Sequence, residues 1–128
     1  MGVGQEDSVY VAGGMRGFRH FNFEAFDAAR DYLRAKQWRT LSPADHDRDM
    51  GFDAIALDLA GEDADLVYCT FDMKDAIMWD LNAVADSDAI YLLRGWQNSK
   101  GARLERALAD FLSKRIIEEQ DGDFRAWS

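Results

Sequence analysis

Glu105 and Asp80 are the residues of this chain whose type and helical position could do chemistry together. In 95-GWQNSKGARLERALAD-110, a helix beginning near Lys100 turns about 100° per residue and gathers Arg103, Arg106, Asp110, Ser113 and Lys114 on one polar face. Glu105 projects instead with Gly101, Ala102, Ala109 and Leu112, on the small, apolar side that faces the body of the protein. In 73-MKDAIMWDLNAVAD-86 the apolar stripe is Met73, Ile77, Leu81 and Val84, and Asp80 falls inside its angular range. Each carboxylate has a bland reading. Glu105 could pair with an arginine at the margin of the buried face, and Asp80 could cap a nearby backbone turn. With 24 acidic residues in the chain, such readings cover most carboxylates taken singly. Two on inward faces of helices flanking one sheet edge are different, because that is the pairing used for nucleophilic and acid–base work.

Donors for an anionic ligand are found in two places. In 97-QNSKG-101, Asn98 or Ser99 can cap the helix, and the amides that follow, with the helix dipole, make a small anion site. The plainer alternative is that Ser99 is only a cap and Gly101 only allows close helix-to-strand packing. In 13-GGMRG-17 the glycines Gly13 and Gly17 let backbone amides approach a ligand, and Arg16 could hold a phosphate or carboxylate. That spacing fits neither the GxGxxG fingerprint nor the P-loop. Phe18, His20 and Phe21 could stack on a base, although such aromatics more often pack. His20 and His46 read as surface histidines, and Cys69, with no activator beside it, as structural.

The elements that must position these residues follow from patterning. Residues 8-SVYVAGG-14 read as a buried strand entering a loop, and 22-NFEAFDAARDYLRAKQ-37 as a helix capped by Asn22, with Phe26, Ala29 and Leu33 inward. A short strand, 38-WRTLSP-43, ends at the only proline, and the acidic 44-ADHDRDMGFD-53 reads as a surface loop. Residues 54–71 are ambiguous between helix and strand. Asp72 caps the helix 73–86, with Asp75 favourable in its first turn. The run 88-DAIYLLRG-95 is continuous and apolar, as a strand covered on both faces is, and 115-RIIEE-119 is a further strand. The tail 120-QDGDFRAWS-128 adds an edge strand or covers a neighbour. Strands alternating with helices predict an α/β fold, a single domain over residues 1–128. The expected architecture is a three-layer α/β/α sandwich, flavodoxin-like or Rossmann-like, around a parallel sheet of four to five strands. Ligands of such folds sit at the carboxyl ends of the strands, which brings the loops 13–18, 43–47 and 95–100 together.

Bulk properties narrow the function. A chain of 128 residues with 48% apolar residues can bury a core of its own. A net charge of -9 argues against a general nucleic-acid binder, so an anionic ligand must be held by local donors. One cysteine and two histidines give neither a disulfide framework nor a recognisable zinc set, and a reducing, cytoplasmic setting is expected. No apolar run approaches a membrane span, so no membrane partner is expected. The opening MGVGQEDS lacks the features of a signal peptide, which places the start of the mature chain near residue 1. Met-Gly at the start could suggest myristoylation, but the acidic residues that follow speak against it.

Three segments, YVAGGMRG at 10–17, WDLNAVADSDAIYLL at 79–93 and NSKGARLERALA at 98–109, together resemble the nucleoside 2-deoxyribosyltransferase superfamily. The chain looks most like a small branch of it found in phage and bacterial genomes, and is also similar to the deoxynucleoside 5'-monophosphate N-hydrolases. The resemblance runs over nearly the whole chain apart from roughly residues 54–71. It implies that Glu105 is the nucleophile, attacking C1' of the sugar to expel the base and form a glycosyl-enzyme. Asp80 would bind sugar hydroxyls or assist proton transfer beside it, and Tyr10 would be an active-site tyrosine. Ser99, Gly101 and Arg16 match positions that hold a 5'-phosphate in the monophosphate hydrolases. Gly13 and Gly17 belong to the same substrate-binding loop. Where many relatives have GPM after the first strand, this chain has GGM. No metal or other cofactor is implied. The partners implied are a small-molecule nucleotide or nucleoside and further copies of the chain, as a homodimer or larger homo-oligomer.

The leading expectation is therefore cleavage or transfer at the N-glycosidic bond of a (deoxy)nucleoside or its 5'-monophosphate. Such a mechanism asks for an ionised Glu105 near neutral pH. The alternative is a non-catalytic protein that binds or sequesters a nucleotide, and a weaker third reading is a purely structural or assembly protein.

Overall fold

The computed structural model describes residues 7–15, 19–51 and 73–120. Four strands form one parallel sheet: β1 (Ser8–Ala12), β2 (Arg39–Leu41), β3 (Ala89–Leu92) and β4 (Arg115–Glu118), in the spatial order β2-β1-β3-β4. Among the described residues four α-helices accompany them: α1 (Phe23–Ala35), α2 (Pro43–Asp49), α3 (Met73–Asp86) and α4 (Lys100–Phe111). The order is the flavodoxin-like one, with β1 and β3 at its centre.

The central strands are buried along their whole length, which is why SVYVA and AIYL read as unbroken apolar runs. Alternation along them splits the core in two. Val9, Val11, Tyr91 and Leu93 pack with Phe26, Ala29 and Leu33 of α1 on one face. Tyr10, Ala12, Ile90 and Leu92 pack with Ala83 and Val84 of α3 and Ala109 of α4 on the other. The sheet between these two helical layers is the three-layer sandwich expected from the alternation of elements. The strands β2 and β4 form its edges and are only partly covered.

Two local expectations are corrected. Residues 43–49, read as an acidic surface loop, are the helix α2. Pro43 occupies its first turn, where a missing N–H is harmless, Asp45 favours the positive end of the dipole, and Arg48 favours the other end. Asn22 does stand at the entry of α1, but in a left-handed conformation (φ 63°) and without a side-chain cap bond. Its Nδ2 instead donates to the Gly14 carbonyl oxygen at 2.9 Å, tying the loop after β1 to the start of α1. The ambiguous segment 54–71, the Asp72 cap, Cys69 and the tail from residue 121 lie outside the described residues. Among the described residues no helix is long and apolar enough to cross a membrane.

Candidate active site

Tyr10, Asp80 and Glu105 come from three elements and meet on one face of the sheet. Tyr10 lies on β1 on the side covered by α3 and α4, so its ring enters the layer into which those helices turn their inner faces. Glu105 is on the inner face of α4 between Ala102 and Ala109, the three buried residues of that helix, and is only 5% exposed. The small neighbours let α4 lie close to the sheet, and the carboxylate is carried down with it. Tyr10 Oη donates to Glu105 Oε2 at 2.9 Å, a fully buried bond joining residues 95 positions apart. Asp80, projecting from α3, is close enough to both Tyr10 and Glu105 to perturb them electrostatically.

Burial governs the electrostatics of the three. Desolvation, followed by the neighbouring carboxylates, raises the Tyr10 phenol well above its ordinary value, so it is a permanent donor. Desolvation also pushes Asp80 up to about 6, against the pull of its contacts with Glu105 and Tyr10. Glu105 is raised well above the carboxylate range, first by desolvation and then by the charge of Asp80. The two carboxyls titrate as a coupled pair, and burial raises both, so the pair holds a proton more readily than an exposed carboxylate does. The rise of Glu105 runs against the ionised carboxylate that the expected mechanism asks for near neutral pH.

A fourth group belongs to this cluster. Asp47, on α2, is 7% exposed, and desolvation together with the charge of Asp80 raises it to about 7. Its charge is also felt by Tyr10. The position of α2 is set from both sides. Towards α1, Arg48 Nη2 meets Asp27 Oδ2 at 2.6 Å and Arg30 Nη1 meets Asp45 Oδ1 at 2.6 Å. Towards α3, the His46 ring stacks on Trp79 with centroids 4.0 Å apart and planes 6° from parallel. His46, read as a surface histidine, is thus a packing partner of the residue next to Asp80. A cleft of about 640 Å³ opens here, with Arg30, Arg34, Ser42, His46 and Trp79 among its walls. The Ser42 hydroxyl is buried and has no hydrogen-bond partner among the described residues.

The phosphate-binding candidates divide. Ser99 caps α4, its Oγ accepting from Ala102 N at 3.1 Å, so the plain role is present and the hydroxyl proton stays available to a ligand. A Cβ on Gly101 would meet only Ser99 Oγ, at 3.9 Å, so close helix-to-strand packing is not what calls for glycine there. Gly13 is the reverse case. A Cβ there would stand 2.8 Å from Leu93 Cβ, so contact between the ends of β1 and β3 already requires the glycine. Arg16 and Gly17 lie outside the described residues.

In comparison with known families, the model described as "Domain of unknown function (DUF4406)" matches residues 7–118. A comparison with curated proteins gives no match.

Proposed function

The chain belongs to the family described as a domain of unknown function (DUF4406), and we propose that within this fold it cleaves or transfers at the N-glycosidic bond of a (deoxy)nucleoside or its 5'-monophosphate. The observation that carries the reading is the buried Tyr10–Glu105 bond with Asp80 beside it. A glutamate kept from water, oriented by a phenol and electrostatically coupled to a second carboxyl has what a covalent glycosyl-transfer mechanism needs. Asp80 first takes the Glu105 proton. A Glu105 oxygen then forms a bond to C1' while the glycosidic bond breaks and its electron pair leaves with the base nitrogen. Water, or a second base, resolves the glycosyl-enzyme and frees the carboxylate. Sugar hydroxyls that donate to the two carboxyls would favour the ionised pair, so binding and activation are coupled.

Supporting features are the Ser99-capped start of α4, suited to a 5'-phosphate, and the resemblance of the segments at 10–17, 79–93 and 98–109 to the nucleoside 2-deoxyribosyltransferases. The resemblance also implies a homo-oligomer, for which the exposed Leu104 and Phe111 of α4 offer apolar surface, and the single cysteine of the sequence suits a reducing, cytoplasmic setting. The direct test is incubation with deoxynucleosides and their 5'-monophosphates, followed by assay for free base. Wild-type protein should release base from at least one of them and Glu105→Ala from none; release that survives Glu105→Ala refutes the mechanism.

A second reading, a binder that sequesters a nucleotide without turnover, is favoured by the burial that raises Glu105 above the carboxylate range. Recovery of tightly bound, unaltered nucleotide after long incubation would decide for it.

A further inference from the structure

Glu105 reaches Tyr10 only if α4 sits at one rotation and one height on the sheet. A helix turns about 100° and rises about 1.5 Å per residue, so a slip of one residue would aim the carboxylate elsewhere. The inner face of α4 does little to prevent such a slip. Its buried residues besides Glu105 are Ala102 and Ala109, Leu108 packs only in part, and the large Leu104 and Phe111 are exposed. Alanines let the helix lie close to the sheet but interlock weakly with it, since they present no large ridge to a groove. The seat of α4 is therefore set at its ends.

The C-terminal end is joined directly to β4. Lys114 N donates to Ala109 O at 2.8 Å with Ser113 left-handed (φ 59°), and β4 begins at Arg115. The N-terminal end is held by the far end of the same strand. Glu119 follows β4 and continues its pairing, its N donating to Leu92 O at 2.9 Å. Its side chain is fully buried, with Oε1 accepting from Arg94 N at 2.8 Å and Oε2 lying 3.9 Å from Arg94 Nη2. A buried carboxylate is costly unless donors meet it, and a charge-assisted bond of this length is a strong one. Arg94 is where the chain leaves β3 for α4, and from there each bond fixes the next. Trp96 N donates to Leu93 O at 3.1 Å, Asn98 N to Gly95 O at 3.1 Å and Ser99 N to Trp96 O at 3.0 Å, after which Ser99 Oγ caps α4. Gly95, left-handed at φ 87°, makes the bend. Glu118 adds a second grip. Its Oε1 accepts from Trp96 Nε1 at 3.5 Å, and Arg106, the residue after Glu105, holds its guanidinium 5.8 Å from the centre of the Trp96 ring.

We propose that Glu119 is the positioning residue of the nucleophile: its carboxylate holds the turn 94–99, and with it the height and rotation at which α4 presents Glu105 to Tyr10 and to the sugar. The assignment rests on the glycosidic reading given above for the role of Glu105. Glu119 acts through the Arg94 amide and the turn, not on the substrate. A nucleophile misplaced by about 1 Å can lose about 100-fold in rate, so a bond lost at the far end of the turn is felt at C1'.

The test uses the full-length protein and two readouts: the kcat of base release from deoxynucleosides and their 5'-monophosphates, and the NMR signal of the Tyr10 hydroxyl proton, identified by its absence in Tyr10→Phe. Glu119→Ala should lower kcat about 10-fold or more and shift or broaden the hydroxyl signal. Glu119→Gln, which keeps an oxygen for the Arg94 amide, should hold both readouts near those of the wild type. Glu119→Asp, which draws the oxygen back by one bond, should fall between them, and it replaces the alanine variant if that one does not fold. Asp88→Ala is the control for a general loss of stability. It removes a comparable bond at the amino ends of the strands, where Asp88 Oδ2 accepts from Ser8 N at 2.9 Å, and should leave both readouts unchanged. An unchanged kcat and hydroxyl signal in Glu119→Ala, or equal disturbance of both by Asp88→Ala, overturns the assignment. A wild-type protein that releases no base, while its Tyr10 signal answers to Glu119→Ala and not to Asp88→Ala, refutes the glycosidic reading and leaves the hold of Glu119 on α4 standing.

Discussion

Replacing Asp47 with asparagine should stabilise this protein at alkaline pH. The carboxyl titrates near 7 in the folded chain against an ordinary 3.8, about 3 units apart. Because the folded value is the higher, the folded state binds more protons than the unfolded one between roughly pH 4 and 7, and stability falls as pH rises through that window. At 1.36 kcal/mol per unit the ceiling is about 4 kcal/mol. The side chain keeps some contact with solvent, which screens the penalty, so about 2 kcal/mol is the figure to expect. Asparagine has the same shape and no charge. Urea unfolding followed by the fluorescence of the four tryptophans, at pH 5.5 and pH 8, measures both states. The variant should gain about 2 kcal/mol at pH 8, about 8 °C in melting temperature for a domain of this size, and about half as much at pH 5.5. Its pH slope should be shallower than that of the wild type but not flat, since Asp80 and Glu105 are raised as well. A variant no more stable at pH 8, or one with the wild-type slope, would refute the account of a strained carboxyl at this position.

Tyr10→Phe preserves the packing but removes the donor to Glu105, and should lower base release about 100-fold while changing stability by only about 1 kcal/mol, read from kinetics and melting together. Ser99→Ala removes the cap of α4 and should cost about 1 kcal/mol in urea unfolding, with Ser99→Gly milder. Gly13→Ala should destabilise by about 1–3 kcal/mol, because the added carbon would stand 2.8 Å from Leu93 Cβ and force the ends of two central strands apart; an unchanged melting temperature would contradict that contact.

The central strands and the inward faces of α1, α3 and α4 could be read from the chain because each depends on a local periodicity: unbroken apolar runs at 8–12 and 89–92, and spacings such as Phe26, Ala29, Leu33. The same periodicity singled out Glu105 and Asp80, since a charged residue on an apolar stripe stands out. Asp47 did not stand out, because α2 has hardly any stripe. Six acidic and basic residues within 44–53 outweighed the start signal Ser42-Pro43-Asp45, and a loop has no inside. Once 43–49 is a helix, Ala44 and Asp47 share a face three residues apart, and both are buried. Asn22 illustrates a different limit. Its residue type suits a cap, but its left-handed backbone and its reach to Gly14 depend on where the chain returns from β1, which spacing cannot express.

The fastening of α2 has a further consequence, in ionic strength. Its ties to α1 are ion pairs that remain partly open to solvent, such as Arg48–Asp27, and at molar salt the Debye length shrinks to about 3 Å. The Tyr10–Glu105 bond is buried, so added salt hardly reaches it. Salt thus acts on the helix that carries Asp47 and spares the nucleophile, dividing the cluster into one half that responds to the surrounding electrolyte and one that does not.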